Sequence, residues 1–283
     1  MRSTTETTAA PGDRQSAFTR FAACHPITAF LLGALGIGLP LLAIPFIVGL
    51  PTEPFLLLLT YGALLGSALL VTRAAGGPGA VRRLLSRVLI WRFSPARWAV
   101  IVLAMPLLTL ALAALSGDLR APEDGWLMLA ATYLFGTFIF GALLLNLWEE
   151  TAWGGFLQSR LMERHGLLIG SLLTAPPFVA IHVPLFFAPG WTWREVGVAF
   201  AVTALVAPFY RLLIGMHLLD TGGSLLAAGI QHASWNASLK LGAGEWWPPV
   251  AVILLTVALG LARHQREDRW EASSHAKAGP LTR

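Results

Sequence analysis

Two adjacent glutamates, Glu149 and Glu150, close a long apolar stretch in "GALLLNLWEETAWGGF". An ionised carboxylate inside a bilayer is costly, so such residues face the protein interior and mark functional sites. Two further polar islands interrupt apolar segments. His182 lies in "PPFVAIHVP", and Gln231, His232 and Asn236 lie in "GIQHASWNAS". A buried glutamate can act as general base on water, and a neighbouring histidine can hold that water or act as general acid. A second histidine with an amide can donate hydrogen bonds to an oxyanion. Alternatively, Glu149, His182 and His232 match the ligand set of a catalytic zinc with one open position.

Spacing brings the islands together. His232 and Asn236 are four residues apart and share a helical face, as do Phe178 and His182. Glu149 and His182 flank the turn near "ERHGL" symmetrically, so an antiparallel hairpin puts both at one depth, about 25 Å of helix from the turn. The stretch 157–164 is amphipathic and can project past the membrane, which reduces that depth. His232 stands about 14 Å into its own segment. All three islands can therefore converge in the inner half of a bilayer.

The elements that must position them are apolar helices. Of 283 residues, 55% are hydrophobic and 12% charged, against about 25% charged in soluble domains. With a mean hydropathy of +0.66, this is the composition of an all-α, polytopic integral membrane protein. Eight segments are long enough to cross: 27–49, 54–73, 98–116, 126–148, 167–187, 196–215, 223–240 and 247–262. Pro40 and Pro45 should kink the first, and the fourth runs on past 149. With alternating crossings, seventeen of the twenty lysines and arginines fall on one side. Arg120, Arg194 and Lys240 fall on the other. Positive loops stay inside, so both termini are expected in the cytoplasm. The same distribution explains the net charge of +5 without nucleic acid. The basic stretch 81–93 reads as an amphipathic helix on the inner leaflet, with Leu84, Leu85 and Leu89 toward lipid. Residues 1–24 read as a disordered cytoplasmic tail, 25–262 as the membrane domain and 263–283 as a second cytoplasmic tail. The single cysteine, Cys24, permits no internal disulfide.

The three islands resemble the motifs of the CPBP intramembrane protease family, which includes the CAAX prenyl endopeptidases and the abortive-infection and bacteriocin-immunity proteins. Its pattern is EExxxR, FxxxH and HxxxN. Here these read Glu149-Glu150 through Gly154, Phe178 to His182, and His232 to Asn236. "WGGFLQSRL" and "DTGGSLLAAGIQHASWN" resemble the flanking blocks, and the likeness covers about 80–262. The resemblance implies an intramembrane endopeptidase in a bacterial cell membrane. Its substrate would be a peptide or protein entering from the membrane or the cytoplasmic side. It implies Glu149 as the base, His182 as the residue that helps hold water, and His232 with Asn236 as the oxyanion site. Glu150 would be a supporting carboxylate. The family is called a metalloprotease, but a metal-free glutamate mechanism fits better, because an asparagine is a poor zinc ligand and a good donor.

One position departs from the pattern: Gly154 replaces the arginine, which four residues on from Glu150 would pair with it. Arg211 on the sixth segment is the first candidate replacement. Glycine at 154, next to Gly155, leads one to expect open space, in which an arginine would be tolerated. Trp153, four residues from Glu149, reads as a packing residue or as a shield for that carboxylate. His165, His217, His264 and His275 read as turn or tail residues. Two other functions stay open: a scaffold or immunity-type protein whose catalysis has lapsed, and a transporter with a carboxylate–histidine proton site.

Overall fold

The computed structural model describes residues 16–187 and 190–278, of which 267–278 are described as backbone only. It is all helical among these residues. In chain order the helices are α1 (Ala17–Cys24), α2 (Pro26–Val48), α3 (Glu53–Leu89), α4 (Pro95–Ser116), α5 (Gly125–Phe186), α6 (Trp193–Asp220), α7 (Leu225–Ser238) and α8 (Trp247–Ala278). Six helical runs among the described residues are long and apolar enough to cross a membrane. The chain is an integral membrane protein. Largely exposed apolar side chains such as Ile47, Leu115 and Leu127 are what a lipid solvent calls for.

The eight expected segments map onto these runs with two differences. Two of them are limbs of α5, which reverses at Gly166, where φ is +75°. Only glycine takes this backbone without strain. The seventh is α7, whose 14 residues rise only about 21 Å, short of the roughly 30 Å hydrocarbon layer. Packing inside the protein, not lipid, stabilises it: Leu225, Ala227, Ala228, Gly229, Ile230 and Gln231 are all buried.

The N-terminal tail is ordered over part of its expected length. Residues 1–15 lie outside the described part, but the chain is helical from Ala17. Ser16 caps α1 by accepting from the Thr19 amide (3.1 Å), and Ala22 is fully buried. At the other end α8 continues past 262 to Ala278. The basic stretch is helical only as far as Leu89, beyond a break at Gly77 (φ +70°). Leu89 is exposed, but Leu84 is buried in the protein core rather than turned outward. Arg87 also turns inward, donating to the carbonyls of Gly223 (2.9 Å) and Gly155 (3.2 Å) and to the Ser159 hydroxyl (3.2 Å).

Polar staples fix the two ends of the bundle. Asp220 at the end of α6 pairs with Arg97 of α4 (2.6 Å) and Arg263 of α8 (2.7 Å). At the opposite end the Trp247 indole donates to Asp118 (2.9 Å). These contacts match alternating crossings. Residues 97, 220 and 263 share one end, and 118 and 247 share the other.

Small residues let α7 approach the glutamate helix. A Cβ on Gly229 would stand 2.6 Å from the Leu147 Cα, and one on Gly141 would stand 2.5 Å from the Ala233 Cβ. Close backbone contact through Gly and Ala is the usual way membrane helices pack. Here it carries His232 to within reach of the glutamates.

Candidate active site

The site is built on irregular helix. Hydrogen bonding shifts to the wider i→i+5 pattern over Leu59–Gly66 in α3, and over Gly136–Asn146 and Thr151–Gln158 in α5. Such stretches are rare and concentrate at functional sites. They flank Glu149 and Glu150 on both sides and re-aim the side chains that regular helix spacing would place.

Glu150 is fully buried and held from both oxygens. Arg211 of α6, also fully buried, donates from Nη1 to Oε1 (2.8 Å) and from Nη2 to Oε2 (3.1 Å). This forked geometry is the strong form of a charge-assisted hydrogen bond. The guanidinium is satisfied further by Gln158, whose Oε1 accepts from Nε (2.9 Å) and from Nη2. Gln158 in turn donates to the Arg211 carbonyl (2.7 Å) and the Ser171 hydroxyl (3.1 Å). Arg211 is therefore the replacement that the sequence suggested for the missing arginine.

His232 completes the buried group: its Nδ1 donates to Glu150 Oε1 at 3.0 Å and stands 3.9 Å from Glu149 Oε2. With the proton on Nδ1, the neutral ring presents a lone pair at Nε2, and the charged ring presents a second N–H there.

Glu149 has a different environment. Its side chain is 15% exposed, whereas that of Glu150 is 0% exposed. Thr60 of α3 donates to Oε1 (2.9 Å) and the Asn146 amide donates to Oε2 (3.3 Å). The Asn146 carbonyl oxygen accepts from the Asn236 amide (3.3 Å). A continuous chain of polar contacts thus runs from Glu149 through Asn146 to Asn236.

A cavity of about 810 Å³ adjoins this chain. His182, His232, Asn236, Phe178 and Tyr210 line it. Glu149 does not lie in its wall but one contact behind, next to His232. Phe178 is the ring that gathers the site. It lies 4.6 Å from the His182 ring, 5.7 Å from Tyr210 and 6.0 Å from His232, and the Arg211 guanidinium sits 5.2 Å from its centroid. His182 Nδ1 donates to the Phe178 carbonyl (2.6 Å), which again leaves Nε2 as the lone-pair nitrogen of the neutral ring. The Tyr210 hydroxyl is buried and has no hydrogen-bond partner among the described residues.

Trp153 packs edge-on between Phe30 (5.7 Å) and Phe178 (5.8 Å). Two expectations are corrected. His217 is no turn residue; it is fully buried in α6, with Gln231 as its neighbour.

The second correction concerns Gly154. Its space is filled, not open: an added Cβ would stand 2.8 Å from Glu150 Oε2 and 3.8 Å from Arg211 Nη2. The carboxylate cannot yield, since Arg211 and His232 fix it. Gly154→Arg should therefore fold poorly, combining overpacking of about 1–3 kcal/mol with a second, unpaired guanidinium. Combining it with Arg211→Leu should restore much of the lost thermal stability, by moving the cation from α6 to α5. Full stability of the single variant in a detergent melting assay would contradict this.

The donor set does not fit a resident metal. Among the described residues, no three His, Cys, Asp or Glu side chains are grouped as a metal site. Glu149, His182 and His232 approach one another without forming the compact ligand shell that zinc requires.

Residues 131–238 match the family model described as Type II CAAX prenyl endopeptidase Rce1-like. This part of the chain is similar to the CAAX-protease family. No curated protein matches it. The Rce1-like region contains Glu149, Glu150, Phe178, His182, Arg211, His232 and Asn236, and the family is a protease family. Thr60 and Arg87 come from outside it. Sequence reasoning missed Thr60, Asn146 and Gln158. The only available signal was that each is a polar residue in an otherwise apolar helix, and Asn146 stands three residues before Glu149.

Proposed function

We propose that the protein is a CAAX-type intramembrane endopeptidase in which Glu149 activates water for attack on a peptide bond. The observation that carries this is the contrast between two adjacent carboxylates. Glu150 is neutralised by Arg211 and His232 and is closed to solvent. Glu149 is partly exposed and is held only by the neutral donors Thr60 and Asn146, with the His232 ring further off. Paired carboxylates in unlike environments take unlike roles: one is structural and electrostatic, the other is the base.

The remaining roles follow from donor chemistry. His182 Nε2 accepts a hydrogen bond from the attacking water. His232, when charged and stabilised by Glu150 at Nδ1, donates from Nε2 to the developing oxyanion. Asn236 keeps one amide hydrogen for the same oxygen while the other is used by Asn146. Tyr210 offers a further donor from the cavity wall. The lapsed-scaffold alternative rested on Gly154, and the Arg211–Glu150 pair supports the active reading instead. For topology we propose both termini in the cytoplasm, from the distribution of lysine and arginine.

The test is a peptide-library digest with the purified full chain in lipid, read by mass spectrometry of new termini. Wild type should generate cleavage products that Glu149→Gln does not. Identical products from both proteins would reject the assignment.

Thr60 offers a finer check. Thr60→Val keeps the shape and removes only the donor to Glu149. A hydrogen bond to a charged group is worth about 1.5–3 kcal/mol, so kcat should fall by roughly 10- to 100-fold with KM little changed. Thr60→Ser should retain activity. Equal loss in both variants would show that the packing, not the hydroxyl, matters.

A further inference from the structure

The cavity is not centred on the polar chain. It extends from His182, His232 and Asn236 along the apolar face of α6 formed by Val198, Val202 and Val206. Its far lining includes Trp191, Arg194 and Glu195 before and at the start of α6, and Glu245 with Trp246 before α8. These residues stand at the Asp118–Trp247 end of the bundle. The opposite end carries Arg87, Arg97, Arg263 and the Asp220 staple. Arg194 is 17 residues before Arg211 on one helix, so the cavity reaches about 25 Å from the level of the buried ion pair. His232 is eight residues beyond Ser224, about 12 Å from the arginine-rich end. Arg87, Arg97, Asp220 and Arg263 of that end are not among the residues that line the cavity.

With alternating crossings, the sequence assigns seventeen of its twenty basic residues to the side of that end, and the positive-inside rule places this side in the cytoplasm. We infer that the cavity opens to the extracytoplasmic side, and that its substrate is an apolar peptide segment presented there rather than a cytoplasmic C-terminal tail. The substrate half of this inference rests on the peptidase reading; the direction of opening does not. Apolar walls suit the side chains of an extended peptide. The mouth, with Arg194, Glu245 and paired tryptophans, sits where an interfacial segment would bring polar backbone and aromatic contacts.

Thiol accessibility tests the direction without needing activity. Cys24, exposed at the arginine-rich end, is the only native cysteine and serves as the opposite-face control. In a Cys24→Ser background, Ala199→Cys reports on the cavity and Glu245→Cys on its mouth. A membrane-impermeant maleimide should label both in intact cells, and should label Cys24 of the otherwise wild-type chain only in inverted vesicles. The reverse pattern, or labelling of the cavity cysteine from the cytoplasmic face, overturns the inference. For the substrate, two single-span reporters carry the same apolar recognition segment on opposite sides of the membrane. Cleavage of the extracytoplasmic reporter alone is expected, and cleavage of the cytoplasmic one alone overturns it. If neither is cut while the labelling pattern holds, the peptidase reading has failed and the direction of opening stands.

Discussion

Arg211→Met should be the most damaging single substitution in the membrane domain. It removes a fully buried cation that is bonded to Glu150 through two nitrogens, and leaves that carboxylate in the protein interior with only the His232 imidazole bonded to it. Breaking a buried pair from one side costs about 3–5 kcal/mol, because the desolvation cost stays while the attraction is lost. It also strands Gln158, whose carbonyl oxygen accepts twice from the same guanidinium. The variant should melt far below wild type in detergent and accumulate poorly. Glu150→Gln with Arg211→Met removes both charges together and should recover at least half of the loss. Equal instability of the single and double variants would show that Arg211 acts through packing and not through Glu150.

Glu149→Gln should separate from that behaviour. The substitution keeps volume, and the new carbonyl oxygen can still accept from Thr60. Stability should be close to wild type, while kcat falls by about 10²- to 10⁴-fold, the usual contribution of a general base. KM should change little, since the base acts in the transition state. A variant that keeps more than about a tenth of the wild-type rate would move the base elsewhere, with His182 the next residue to examine.

Much of the fold was legible because lipid imposes a coarse rule: backbone groups must be satisfied within the helix, so long apolar runs stand out. What the rule does not show is depth of burial. Residues 223–240 read as a crossing, and α7 occupies nearly that range, yet it is too short to span and is covered by its neighbours. The π-helical stretches were also hidden, because a shift from i+4 to i+5 changes no residue type.

The motif residues were legible through their cost, since glutamate and histidine are rare in hydrocarbon. Thr60 and Asn146 were not, because small polar residues between membrane helices are common and cheap. Gly154 misled for a different reason. A glycine in a sequence looks like vacant volume, and nothing local records that the Glu150 carboxylate occupies it, held there by Arg211, 57 residues further along on another helix.

The most direct test of the account is an experimental structure of Glu149→Gln with a cleavable peptide trapped in the cavity. The scissile carbonyl oxygen should lie within about 3.2 Å of the Asn236 amide and His232 Nε2. An ordered water should stand between residue 149 and the carbonyl carbon, in reach of His182. A peptide seated with its carbonyl turned away from Asn236 and His232, or with Phe178 closing residue 149 off from it, would contradict the assignment of Glu149 as the base.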